Sequence, residues 1–133
     1  MPKIEELTMG DWGNQPWDND AAADWFHRFW SGTDKSNFEF LINEISNFNP
    51  DTDRYDAVRA ACYILQTLGI PYIWPVKHLD ILKELLEKAL LILTNMIDPP
   101  NDKWLFLEDC DDEMLPAISE QITAIKLRLE ELA

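Results

Sequence analysis

Three features of this sequence predict an all-α fold. We expect a single-domain bundle of about five helices with an N-terminal aromatic turn packed on it. Apolar residues recur at three- and four-residue spacings in successive segments, as they do on the buried face of an amphipathic helix. No segment shows the strict apolar–polar alternation of a half-buried strand. The chain has 133 residues, of which 47% are hydrophobic, and this is enough for one packed core in one domain.

The first helix is predicted over about residues 20–31, directly after the aromatic turn at about residues 9–19. One side of it carries an apolar stripe: Ala22, Trp25, Phe26, Phe29 and Trp30. Asp18, Asn19 and Asp20 have short acceptor side chains that suit a helix N-cap, and we assign the capping to Asp18 and Asp20. Trp12 and Trp17 precede the cap and are expected to fold back onto the stripe.

The second and third helices are separated by a turn that contains Pro50. Their inner faces are predicted from two apolar stripes, Phe38, Leu41, Ile42 and Ile45 in the second helix and Val58, Ala61, Cys62, Leu65 and Leu68 in the third. The third covers about residues 53–68 and ends at Gly69. The apolar loop that follows, between Pro71 and Pro75, is expected to cover one end of the core.

The fourth helix is predicted over about residues 77–97 and the last over about residues 113–132. From Ala89 onward the fourth helix is apolar on nearly every side, which favours a central, enclosed position. The last helix carries a seam at heptad spacing: Leu115, Ile118, Ile122, Ile125, Leu129 and Leu132. Because this seam is shorter than three heptads, an intramolecular face is favoured over a free coiled coil, and the chain is expected to be a monomer or a homodimer.

The charge balance limits the choice of partner. There are 25 Asp and Glu residues against 11 Lys and Arg residues, for a net charge of −14. Nucleic acids and anionic membranes are themselves polyanions, so neither is a predicted partner. A basic protein partner is compatible with this charge, although an acidic balance also serves solubility alone.

We expect a cytoplasmic protein with reduced thiols. Residues 1–20 lack the charged segment and apolar run of a secretion signal, and the chain has only two cysteines. Cys62 is predicted to be a small core residue, while Cys110 lies among carboxylates. Residues 1–8 are predicted to be a flexible leader, and residues 9–133 a single helical domain.

Candidate binding residues fall in two regions. The first is the aromatic turn with the helix after it: Trp12, Trp17, Asp18, Asp20, Asp24 and His27. Three of the carboxylates could hold Mg²⁺ or Ca²⁺, but capping and an Asp24–Arg28 pair at i,i+4 explain them more simply. His27 and Asp24 could form an acid–base dyad, yet no nucleophile lies at a recognisable spacing. No catalytic residue, metal or cofactor is therefore predicted.

The second region is the acidic strip of residues 108–113. Its carboxylates are Glu108, Asp109, Asp111, Asp112 and Glu113. The strip is open to three interpretations: a docking strip for a basic partner, a metal site, or a solvated turn whose charges cap the last helix.

The aromatic turn also resembles the opening motif of a largely bacterial family. Members of the uncharacterised domain-of-unknown-function 4259 family tend to begin Met-Gly-x-Trp-Gly-x-Gly-x-Phe-Asp-Asn-Asp-x-Ala-x-Asp-Trp, and residues 9–25 resemble this pattern. The residues that make up the motif here are Trp12, Gly13, Pro16, Trp17, Asp18, Asn19, Asp20, Asp24 and Trp25. Gln15 stands where the family has a second Gly, and Trp17 where it has Phe. The resemblance implies an all-helical fold and an N-terminal extension before Met9, and it implies no catalytic residue.

Two functions from different classes follow from the sequence. The first is a protein-binding module, such as an immunity-type inhibitor whose acidic face occludes the basic active site of a toxin enzyme. The alternative is a small metal- or ligand-dependent enzyme with its site at the aromatic turn. A structural subunit that pairs through the C-terminal seam is a third interpretation.

Overall fold

Five α-helices form the bundle in the computed structural model, which describes residues 15–31, 34–71, 73–74, 76–104 and 113–132. They are α1 (Asp20–Ser31), α2 (Asp34–Ser46), α3 (Tyr55–Leu68), α4 (Leu79–Ile97) and α5 (Met114–Leu132). Short 3₁₀ turns at Val76–His78 and Asp102–Trp104 lie before and after α4. No strand occurs in these ranges. The predicted all-α bundle is confirmed.

Helix α1 begins after a tight turn. Asn19 is its N-cap, because the Ala22 amide donates to Asn19 Oδ1 at 2.7 Å. The assignment of the cap to Asp18 and Asp20 was wrong. Asp18 Oδ2 accepts from the Gln15 amide at 3.1 Å and closes the preceding turn, whereas Asp20 is already the first helical residue. The described part of the turn packs on the bundle, since the Trp17 ring lies 4.9 Å from the ring of Tyr63 in α3.

All five helices contribute to one core, in which α4 packs against α2, α3 and α5. Leu82, Leu86, Leu93 and Met96 of α4 are completely buried. The expected enclosed position of the second half of α4 is confirmed on most sides, since the residues from Ala89 to Ile97 are buried or partly buried except Leu91, which is 52% exposed. The helix therefore keeps one solvent face. None of the helices in the described ranges is long and apolar enough to cross a membrane.

Helices α3 and α5 lie side by side and run parallel, because contacts between them repeat at seven-residue intervals on both. Arg59 Nε donates to Gln121 Oε1 at 2.8 Å, and Arg128 Nε donates to the Gln66 carbonyl at 2.7 Å. Gln121 Nε2 also donates back to the Arg59 carbonyl at 3.1 Å. Two polar side chains, Arg59 and Gln121, are therefore buried in the apolar core and hydrogen-bonded to each other.

The predicted seam of α5 is an intramolecular face over most of its length. Ile118, Ile122 and Ile125 are buried in the common core, and Leu129 packs against it. Leu115 departs from the prediction, since it is 47% exposed. It lies in the first turn of α5, before the helix reaches the core.

Cys62 is a buried core residue, as predicted. Burial raises the pKa of its thiol to about 12, and the nearby Arg59 guanidinium offsets only part of this effect. The thiol is therefore neutral at physiological pH and serves as a small apolar group. Gly69 follows the end of α3, as predicted. A Cβ at this position would collide with the Leu65 carbonyl oxygen.

Candidate functional site

The site residues predicted on α1 do not converge. Asp20, Asp24 and His27 are exposed, and Asp18 is taken up by the turn before the helix. Nowhere in the described ranges do three or more His, Cys, Asp or Glu side chains come together as a group that could hold a metal ion. The Asp24–Arg28 pair does not form either, because the Arg28 guanidinium lies over the Phe40 ring, 5.1 Å from its centre.

Several predicted residues lie outside the part of the chain that the structure describes. They are Trp12, Gly13, Glu108, Asp109, Asp111 and Asp112. Glu113, the last residue of the acidic strip, is described and exposed, directly before α5. Trp17 is 42% exposed and Trp25 only 2%. The two tryptophans thus differ in role: Trp17 covers the surface of α3, and Trp25 belongs to the core.

An open, concave site lies elsewhere, between α2, the turn after it and the start of α3. We call it the Glu44 cleft. It opens to solvent, has a volume of about 630 Å³, and is lined by Phe40, Asn43, Glu44, Asn47, Thr52, Asp53, Arg54 and Ala57. A volume of this size lies within the range of ligand-binding clefts. Most of the lining side chains are polar, which distinguishes it from an imperfection in apolar packing.

Glu44 lines this cleft, and helical periodicity explains its position. Leu41 and Ile45 of α2 are completely buried, and a residue three positions after Leu41 lies on the same side of the helix. Glu44 is therefore held at the edge of the buried stripe, where it is half-buried. Its Oε1 accepts a hydrogen bond from the Trp25 indole Nε1 at 3.1 Å, so α1 and α2 are joined at this carboxylate.

An aromatic cluster supports the contact between α1 and α2. The Trp25 ring stacks on Phe40 with ring centres 5.1 Å apart, and on Phe29 with centres 5.5 Å apart. Phe40 also forms one wall of the cleft. The rings that bury Trp25 thus also fix the direction of the indole N–H toward Glu44.

The turn between α2 and α3 supplies Asp53 to the lining of the cleft. Asp53 Oδ2 accepts from the Asn49 amide at 2.8 Å, while the Asn49 carbonyl accepts from the Asp53 amide at 2.9 Å. Two contacts connect this turn to the segment after α4. Lys103 Nζ lies 3.3 Å from Asp51 Oδ2, and the Tyr55 hydroxyl donates to the Lys103 carbonyl at 3.2 Å.

The electrostatics of the cleft are unusual because Glu44 has no ion pair. Burial raises the pKa of the Glu44 carboxyl above its ordinary value. Of the weaker influences, the Trp25 hydrogen bond and the Arg28 charge lower the pKa, and the Asp53 charge raises it. Ion pairs among the described residues include Arg54–Asp56, Lys103–Asp51 and Arg128–Glu131, and none of them involves Glu44. The Glu44 charge is thus left without direct compensation.

This raised pKa predicts a pH-dependent effect of Glu44→Gln on stability. The folded chain holds the Glu44 proton more tightly than the unfolded chain does, so the charged carboxylate opposes folding at neutral pH. Glutamine removes the charge and keeps an oxygen for Trp25. We expect the variant to be more stable than the parent at pH 7, by up to about 1 kcal/mol, because water still screens a half-buried group.

The gain should shrink as pH falls through the raised pKa and vanish below the ordinary glutamate value of 4.5. Urea unfolding at several pH values measures it. Glu39→Gln, an exposed change on the same helix, is the matched control and should alter stability by less than about 0.5 kcal/mol. A Glu44→Gln variant that is less stable than the parent at pH 7 would contradict the prediction.

Sequence reasoning missed Glu44 because its role depends on a residue in another helix. The available signal was weak: a carboxylate three residues after Leu41 and directly before Ile45, at the edge of an apolar stripe. Its hydrogen-bond partner lies 19 residues earlier in the chain, and no local pattern relates the two positions.

No family model, no curated protein and no solved structure matches the chain. The resemblance of residues 9–25 to the domain-of-unknown-function 4259 family therefore stays a prediction.

Proposed function

We propose that this chain is a protein-binding module that docks on a basic protein through its acidic surface, with the Glu44 cleft at the centre of the contact. The observation that supports this most directly is the number of exposed carboxylates without an ion pair in the described ranges. They are Asp20, Asp24, Glu39, Asp80, Glu84, Glu87, Asp98, Asp102, Glu120 and Glu130.

Unpaired surface charge of one sign acts over distance. It attracts a partner of opposite charge, speeds association and suppresses like-charged partners. A net charge of −14 on 133 residues suits a partner that itself binds polyanions. We therefore propose an immunity-type role, in which the acidic surface occupies the basic active site of a toxin enzyme. The Glu44 cleft contributes a feature that general surface charge lacks, namely a defined concave place for one partner side chain.

Affinity capture from the native cell, with the tagged chain as bait, tests the proposal. At about 50 mM salt we expect one basic protein, and at about 500 mM salt its release, because screening shortens the range of surface charges. Addition of the purified chain should then inhibit the enzymatic activity of that protein. A partner that is not basic, or a capture unaffected by salt, would overturn the proposal.

Two charge-matched double variants locate the contact. Asp51→Asn with Asp56→Asn removes two negative charges beside the cleft, which pair with Lys103 and Arg54, and Asp80→Asn with Glu87→Gln removes two unpaired negative charges from α4. We expect the first to weaken partner binding about tenfold and the second to weaken it about twofold or less, since charge near a contact matters more than distant, screened charge. Equal losses would contradict a contact centred on the cleft.

A further inference from the structure

We propose that the Glu44 cleft receives the guanidinium group of an arginine side chain from the partner, bound by Glu44 and Asp53. This inference rests on the proposed function and specifies the chemistry of its central contact.

The first step is the charge of the cleft. Two carboxylates, Glu44 and Asp53, line it, and the one arginine among the lining residues, Arg54, lies 3.6 Å from Asp56 with its side chain 75% exposed. Arg28 lies over Phe40 and influences Glu44 only at longer range. An incoming cation would therefore compensate a carboxylate that the described part of the chain leaves without an ion pair.

The second step is the supply of hydrogen-bond acceptors. Glu44 uses Oε1 for Trp25, and Oε2 has no described hydrogen bond. Asp53 is held by its turn, with Oδ1 also accepting from the Thr52 hydroxyl at 3.3 Å. Asn43 and Asn47 also line the cleft, and Asn47 Nδ2 donates to Asn43 Oδ1 at 3.5 Å. The carboxylate acceptors thus come from α2 and from the turn after it.

The third step is the choice between arginine and lysine. A guanidinium presents five N–H donors in a plane, matches carboxylates in pairs and stacks on aromatic faces. An ammonium is compact and strongly hydrated, so it gains less from acceptors that come from two separate segments, α2 and the turn after it. Phe40 lines the cleft, but Trp25 stacks on its ring and the Arg28 guanidinium lies over it, so the preference for arginine rests on the hydrogen-bond acceptors and not on stacking. The cleft therefore favours arginine.

The Trp25 indole N–H is a built-in reporter, because it donates directly to Glu44. We would titrate the ¹⁵N-labelled chain with N-acetyl-arginine amide and follow the indole signal of Trp25, assigned from a Trp25→Phe variant. The two comparison probes are N-acetyl-lysine amide and the amide of N-acetyl-citrulline, which has nearly the shape of arginine without its charge. We expect saturable millimolar binding of the arginine probe, binding of the lysine probe at least about threefold weaker, and none of the citrulline probe.

Glu44→Gln should weaken binding of the arginine probe about tenfold, as loss of a charge-assisted hydrogen bond predicts, whereas Glu39→Gln should leave it unchanged. The dispersion of the ¹⁵N spectrum confirms that each variant is folded. No shift at Trp25, an equal response to lysine and arginine, or full binding by Glu44→Gln would each overturn the inference.

The failure of this inference and that of the proposed function give different results. If a basic partner is captured in a salt-dependent manner and Glu44→Gln captures it equally well, the guanidinium site is wrong and the protein-binding function stands. Binding of the arginine probe without any captured partner would overturn the function and leave the cleft as a guanidinium site.

Discussion

Trp25→Ala is expected to lower the free energy of unfolding by about 3–5 kcal/mol, the range for removing a large buried aromatic side chain. Trp25 is only 2% exposed and stacks on Phe29 and Phe40. Its loss would leave a cavity between α1 and α2 and would also remove the N–H that Glu44 accepts. The substitution therefore combines a packing defect with an unsatisfied, half-buried carboxylate.

Trp30→Ala is the matched control, because the same side chain is deleted five positions later on the same helix. Trp30 is 62% exposed, and its removal should change stability by less than about 1 kcal/mol. Urea unfolding followed by far-UV circular dichroism measures both variants without relying on tryptophan fluorescence. Similar losses of unfolding free energy for the two variants would contradict the prediction that burial makes Trp25 the more important side chain. A Trp25→Phe variant separates the two contributions, since it keeps most of the aromatic packing and deletes the hydrogen bond.

Gln121→Leu is expected to destabilise the chain by about 2–4 kcal/mol, although it replaces a buried polar side chain by an apolar one. Gln121 Oε1 accepts from Arg59 Nε at 2.8 Å, and both residues are 2% exposed. Leucine would deprive a buried guanidinium of a direct acceptor, and a buried charge that loses a partner is more costly than a missing neutral hydrogen bond. The same change would also remove the bond from Gln121 to the Arg59 carbonyl.

A double-mutant cycle with Arg59→Met tests this explanation. If the penalty comes from the buried charge, Gln121→Leu should have a much smaller effect in the Arg59→Met background, with a coupling of about 1–3 kcal/mol. If Gln121→Leu lowers the free energy of unfolding equally with Arg59 and with Met at position 59, steric misfit and not the buried charge is responsible. Thermal and urea unfolding of the four chains decide between these outcomes.

The sequence predicted the helices well because each helix records its buried face in local spacing. Leu82, Leu86, Leu93 and Met96 follow that spacing, and all are completely buried. Trp30 is an exception, because it belongs to the predicted stripe of α1 and is 62% exposed. Prediction was weaker at helix ends, where it assigned the cap to Asp18 and Asp20 and the structure uses Asn19. All three residue types are good caps. The choice among them depends on the exact residue at which the helix begins. A shift of this start by one residue changes which of the three side chains is the cap.

The candidate site was much less predictable than the fold. Motif reasoning favoured the conspicuous acidic and aromatic residues of α1, and Asp20, Asp24 and His27 are exposed without converging. Glu44 and Asp53 were not among the predicted site residues, because neither belongs to a recognisable motif. Their importance comes from a cleft between three segments of the chain, and a cleft is a property of packing.

The sequence by itself determined the all-α class, the positions of the helices and the strongly acidic character of the chain, since periodicity and charge are written into local residue order. Only the tertiary structure decided which polar residues would be enclosed and which would face each other. Arg59 bonds to Gln121, which lies 62 positions later in the chain. Trp25 of α1 bonds to Glu44 of the neighbouring helix α2. Such pairs form where the packing of apolar stripes brings distant helices together, and burial then changes the chemistry of the groups that it encloses.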